Sequence, residues 1–144
     1  MTVKVAQEWL NSCSGCEIAI VDMGERLLDI LAVADFVHSP VLMDHKYLGQ
    51  LGDGGHIDIP EADVGIVSGG VRNEEHVEVI EEMRRKCKII VAHGTCATHG
   101  GIPALANSYT SEEMLQRVYS TETTDAPAAS FGEDVPRLLD ACYA

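Results

Sequence analysis

With 144 residues, 46% of them apolar and 23% charged, the chain is long enough for one domain with a real core. A formal net charge of −13 excludes the basic face that nucleic-acid binding needs, and no apolar run approaches the ~20 residues of a membrane-spanning helix. Five cysteines, an odd number, and an N-terminus without a signal-peptide or twin-arginine pattern give the expectation of a reducing cytoplasm, where structural disulfides are rare. The acidity itself reads as solubility, with docking on a basic partner as the sharper alternative.

Residues 3–8 form a short apolar strand pattern. It runs into Trp9-Leu10-Asn11-Ser12-Cys13-Ser14-Gly15-Cys16-Glu17, two thiols three residues apart at a strand-to-helix hinge. The free N–H groups and dipole of a helix N-terminus favour thiolate there. Residues 17–33 are expected to be one helix, with Ile18, Val21, Leu27, Leu28 and Leu31 as its apolar stripe. Gly24 weakens that helix by ~1 kcal/mol relative to alanine, which points to a close packing contact. Residues 35–38 read as a second strand. The glycine-rich stretch 40–60 reads as surface loop, since it lacks the phosphate-cradling patterns GxGxxG and GxxxxGKS/T.

Residues 64–68 are a buried-strand run followed by Gly69-Gly70. Asn73 is placed to cap a helix to about Lys86, acidic in its first turn and basic in its last. Residues 89–92 form another apolar strand, ending in His93-Gly94-Thr95-Cys96. Ser111 is expected to cap a helix over 112–119, and 121–132 reads as loop. In the last segment Asp134 and Pro136 suit a helix start, and Leu138, Leu139 and Cys142 begin a helical stripe. No further strand pattern follows, so the domain, 1–144, is read as continuing beyond Ala144.

Alternating strands and helices imply a doubly wound parallel α/β sheet of flavodoxin-like topology, lacking its last strand in this chain. Its carboxyl edge gathers the loops bearing Cys13 and Cys16, Ser68-Gly69-Gly70, and Cys96. Glycines 69, 70, 94, 100 and 101 allow close backbone approach to a bulky ligand. Three convergent thiols fit a metal centre: zinc with His93 or His99 as a fourth ligand, or a 4Fe-4S cluster. A thioredoxin-like dithiol at Cys13 and Cys16 would leave Cys96 and the glycines unused. Cys87 reads as a packing residue.

Three motifs in register carry a resemblance. They are Trp9-Leu10-x2-Cys13-Ser14-Gly15-Cys16-Glu17, Ser68-Gly69-Gly70-Val71-Arg72-Asn73-Glu74-Glu75, and Gly94-Thr95-Cys96-Ala97-x2-Gly100-Gly101-Ile102-Pro103. Together they resemble the small subunit of NiFe hydrogenases, whose cluster domain is shared with the 20 kDa subunit of NADH:ubiquinone oxidoreductase. Within that family the likeness runs to gamma subunits of methyl-viologen-reducing, coenzyme-F-non-reducing hydrogenases of methanogens.

The resemblance implies a flavodoxin-like domain holding the 4Fe-4S cluster nearest the NiFe site of a separate large subunit. Electrons from H2 would pass through it to further iron-sulfur subunits, the heterodisulfide reductase complex among them. Cys13, Cys16 and Cys96 match three cluster ligands. Gly15, Glu17, Gly70, Arg72, Thr95 and Gly100 match positions around the cluster, with Asn73 beside Arg72. No catalytic residue is expected on this chain. The family's fourth ligand lies in a Gly-Cys-Pro motif that this sequence does not contain, and Cys142, set in a helical pattern, is not assigned to it.

Overall fold

The computed structural model describes residues 2–44, 57–120 and 137–144. Its frame is four parallel strands: β1 (Val3–Trp9), β2 (Ala34–His38), β3 (Ala62–Ser68) and, after a short β4 (Val71–Asn73), β5 (Cys87–His93). They lie in the order β2-β1-β3-β5, the way a flavodoxin-like sheet begins. Continuous apolar runs such as 64–67 are what a sheet covered on both faces demands. The register aligns Trp9 with Ser68, and Ser68 with His93. Three strands therefore end on one line, and the loops bearing the cysteines leave from that line.

Helix α3 (Glu74–Lys86) closes one face of the sheet. Asn73 Oδ1 accepts from the His76 backbone N–H at 2.8 Å, the expected cap. Val79 and Met83, one helical turn apart, are 3% and 0% exposed and pack with Ala6, Leu10, Ile59, Val67 and Cys87. Cys87 is the packing residue the sequence indicated, and it opens β5.

The expected helix over 17–33 is two helices, α1 (Gly15–Val21) and α2 (Arg26–Leu31). Gly24 lies between them at φ +58, a left-handed turn that an L side chain resists. A Cβ there would meet nothing within 4 Å, so this glycine serves backbone conformation and not the close contact first inferred. The break leaves the expected inward stripe largely outside: Ile18, Val21, Leu28 and Leu31 are all exposed.

Helix α4 (Gly94–His99) starts directly at the tip of β5, where a loop was expected. A 3-10 helix (Pro103–Ser108) follows. Helix α5 (Ser111–Tyr119) is capped by Thr110, one residue before the expected Ser111. Glu113 accepts from the Thr110 backbone while Thr110 Oγ1 accepts from the Glu113 backbone, a reciprocal capping box.

The largest departure is the last segment. Residues 138–143 form strand β6 (Leu138–Tyr143), antiparallel to β4, instead of a helix. The stripe of Leu138, Leu139 and Cys142 fits either period over so short a run, and pairing with β4 decides it. Among the described residues nothing pairs with the outer edge of β5. The loop readings over 45–56 and 121–132, and the cap at Asp134 with Pro136, fall outside the described residues.

Candidate metal centre

Past Trp9 the chain stays tied to the neighbouring strand. Leu10 N–H donates to Ser68 O (2.8 Å), and Asn11 and Gly70 exchange backbone hydrogen bonds at 3.1 and 3.0 Å. The loop then turns at Ser14, φ 63, the only non-glycine with positive φ among the described residues. A left-handed serine costs of order 1 kcal/mol or more and persists only where its surroundings fix it. Ser12 Oγ accepts from the Ser14 N–H (3.2 Å), and Ser14 O accepts from Ile18 N–H (3.0 Å). The thiols of Cys13, exposed, and Cys16, half-buried, flank this turn.

Each of the three expected ligands sits against a glycine. A Cβ on Gly15 would lie 3.3 Å from Cys13 Sγ, and one on Gly101, at φ +49, would lie 2.9 Å from Cys96 Sγ. A Cβ on Gly94, at φ +83, would overlap Cys16 Sγ. The last contact joins the two loops: a sulfur carried by the β1 loop rests on the backbone that leads into Cys96. Burial, then Glu17, then Cys96 and Cys13 push the Cys16 thiol above its ordinary range. This reverses the thiolate preference expected from the start of α1, and Cys13 and Cys96 both act on the Cys16 thiol.

Soft sulfur donors on rigid strand ends, each backed by glycine, suit a bulky sulfur-ligated metal group. Among the described residues, no three His, Cys, Asp or Glu side chains close on a point as ligands of a single ion would.

The remaining expected positions divide. Glu17 is 1% exposed and turned under α1. Its Oε1 accepts from Gln7 Nε2 (3.2 Å) and from Ser68 Oγ, while Oε2 has no partner among the described residues. Thr95 is exposed beside Cys96. Gly100, at φ +83, turns tightly on Ala104, where a Cβ would come within 2.6 Å. Gly70 faces β6, because a Cβ on it would lie 2.7 Å from Cys142 Sγ. Arg72 is 6% exposed, with its guanidinium donating to Leu139 O (2.9 Å) and Ser111 Oγ (3.2 Å). It braces β6 and α5, and Asn73 caps α3. His99 is exposed and bonded to Thr98 Oγ1 at 2.7 Å. His93 ends β5, half-buried.

Sequence reasoning missed two features. Gln7, polar within an apolar strand, reaches Glu17; its only signal was that misplaced polarity. Cys142 is buried beside Gly70, its backbone held on both sides by Asn107 at 2.7 and 3.0 Å. Burial pushes its thiol up, opposed by the Arg72 guanidinium and by Asn11, while Cys96 adds to the rise.

Fold and site define an α/β protein with thiols gathered at the carboxyl edge of a parallel sheet. The family model "NADH ubiquinone oxidoreductase, 20 Kd subunit" matches residues 13–132, and the chain belongs to that family. It is 42% identical over 138 residues to one subunit of the F420-non-reducing hydrogenase of Methanothermobacter marburgensis, covering 94% of this chain and 42% of that protein. To the delta subunit of the NAD-reducing hydrogenase HoxS of Cupriavidus necator it is 35% identical, covering 98% of this chain and 64% of the other. The iron-sulfur subunit of the F420-non-reducing hydrogenase of Archaeoglobus profundus is 40% identical over 88% of this chain and 39% of its own length. The chain thus spans less than two thirds of each of these relatives. A chain of a NAD+-reducing [NiFe]-hydrogenase solved in the H2-reduced state superimposes with a TM-score of 0.85 at 32% identity, over 99% of this chain and 75% of that one. No helix among the described residues is long and apolar enough to cross a membrane.

Proposed function

We propose that this chain is the electron-transfer small subunit of a cytoplasmic NiFe-type hydrogenase, and that Cys13, Cys16 and Cys96 hold a 4Fe-4S cluster. The observation that carries the reading is the seating of Cys16 Sγ on Gly94, which brings the CxxC turn and the start of α4, the helix bearing Cys96, to one place. Support comes from relatives named as hydrogenase subunits, one of them as an iron-sulfur subunit. The partners would be a large subunit bearing the NiFe site and further iron-sulfur subunits, with the heterodisulfide reductase complex of methanogenesis as one destination.

When bound, the cluster supplies one-electron transfer. The protein supplies position and surroundings. Three thiolates, two from the turn into α1 and one from α4, would fix its place against strand tips that a parallel register holds in line. Glycines 15, 94 and 101 let backbone come close to the sulfurs, where N–H groups tune a cluster's potential. Thiols bind iron as thiolates, so loading releases protons, and the raised Cys16 thiol makes it less favourable as pH falls.

Anaerobic purification with metal and sulfide analysis tests the reading. A brown protein with iron and acid-labile sulfide is expected. A colourless protein with zinc would favour a zinc-stabilised interaction module, and a metal-free protein with a redox-active Cys13–Cys16 pair would favour a dithiol oxidoreductase.

A further inference from the structure

Helix α4 carries Cys96, and the chain then turns through Gly100 and Gly101 into the 3-10 helix (Pro103–Ser108). Near the end of that helix stands Asn107, an exposed residue that in the sequence is one surface amide among others. The structure commits both of its polar atoms to one distant residue. Asn107 Oδ1 accepts from the Cys142 backbone N–H at 2.7 Å, and Asn107 Nδ2 donates to Cys142 O at 3.0 Å. A carboxamide carries the donor and the acceptor of a peptide group. Asn107 therefore pairs with β6 as a strand one residue long would, on a strand whose ladder with β4 engages Tyr143 and Leu138.

What this clamp holds is seen at the other end of the 3-10 helix. Gly101 lies against Cys96, where a Cβ would come 2.9 Å from the sulfur. Pro103 lies beside Gly70, whose Cβ would sit 3.6 Å from Pro103 Cβ and 2.7 Å from Cys142 Sγ. Gly70 in turn exchanges backbone hydrogen bonds with Asn11, on the approach to Cys13. A continuous line of contacts thus runs from Cys96 through the 3-10 helix to Gly70 and the CxxC turn. Pro103 has no N–H to give, so that end of the helix meets Gly70 by packing. Asn107 supplies directional bonds that fix the helix on β6.

We infer that Asn107 is a positioning residue for the iron-sulfur centre: its clamp on the Cys142 backbone docks the 3-10 helix on β6 and so holds Cys96 in place against the Cys13–Cys16 turn. The inference rests on the cluster reading above. For Cys96 to swing away from the other two thiols, the segment behind it must move, and that motion breaks both bonds of the clamp together. Because Asn107 is exposed, truncating it opens no cavity in the core.

The test is the rate of iron loss to a chelator from the natural full-length protein, purified anaerobically. Electron paramagnetic resonance of the reduced centre and circular dichroism are recorded alongside. Asn107→Ala removes both bonds. It is expected to fold, and to lose iron roughly tenfold faster than wild type, the factor that one hydrogen bond commonly contributes. Its resonance spectrum is expected to change as well. A folded Asn107→Ala that holds no iron supports the clamp too. Gly24→Ala loosens the turn between α1 and α2 and is expected to keep the wild-type rate and spectrum, which separates a hold on the centre from general loss of stability. A wild-type rate and spectrum in Asn107→Ala overturn the inference, and so does a rate no faster than that of Gly24→Ala. If Asn107→Ala does not fold, Asn107→Asp decides, since it keeps the shape and the acceptor and lacks the donor. Faster iron loss with the fold kept supports the clamp; a wild-type rate, or failure to fold, overturns it. A wild-type protein without iron sinks the cluster reading itself, and this inference with it.

Discussion

Cys16 Sγ lies so close to Gly94 that a single added carbon would overlap it, although 78 positions of sequence separate the two residues. This contact makes one site of two loops. It also gives Gly94 two reasons to be glycine: the sulfur above it and its own φ of +83.

Gly94→Ala is therefore expected to cost ~1–2 kcal/mol in backbone strain alone and to push the Cys16 sulfur away from Cys96. Iron content per chain should fall to a small fraction of wild type, while circular dichroism of the sheet is kept. Gly24→Ala is the control. It shares the positive φ but meets nothing within 4 Å, so it should lower stability and leave iron content alone.

Arg72 was expected among the positions around the cluster, and its guanidinium is engaged with Leu139 and Ser111. Hydrogen bonds from a charged donor contribute ~1.5–3 kcal/mol. Arg72→Ala should lose about that much in denaturant unfolding and speed amide exchange across 138–143. If exchange there is unchanged and iron loading falls instead, the brace is misassigned.

His76 gives a pH dependence with a definite sign. Its Nδ1 accepts from the Arg72 backbone N–H at 3.1 Å, and burial lowers its pKa below the ordinary 6.5, with Glu75 and Glu8 opposing. The unfolded chain takes up the proton more readily, so stability is full above about pH 6.5. It declines as pH falls through that value toward the lower folded one. Unfolding free energy measured from pH 8 to 5 should show this slope, and His76→Asn should flatten it.

Helix α3 had the clearest sequence signature, and its cap tests that signature. Asn73→Ala removes the acceptor of the His76 N–H and should cost ~1 kcal/mol. Thermal unfolding should register the loss without a change in metal content.

The strands and α3 were legible because their signals are local: apolar runs bounded by glycine, and a cap followed by acids and then bases. The cysteine loops were legible because parallel topology sends every strand-end loop to one edge. What the sequence hid depends on distant partners. Gln7 meets Ser39, 32 positions away, and Glu17 meets Ser68, 51 away, so neither shows as a pattern. Strand β6 looked helical because its partner, β4, is three residues long and more than sixty positions upstream. Gly24 was noticed for the wrong reason: composition marks a glycine, and only the backbone angle tells a turn from a contact.

The central claim is that Cys96 shares one iron centre with Cys13 and Cys16. Iron and acid-labile sulfide counted per chain in anaerobically purified Cys96→Ala test it most directly. The account predicts near-complete loss of both, with the fold retained by circular dichroism. Iron and sulfide at the wild-type level in that variant would contradict it.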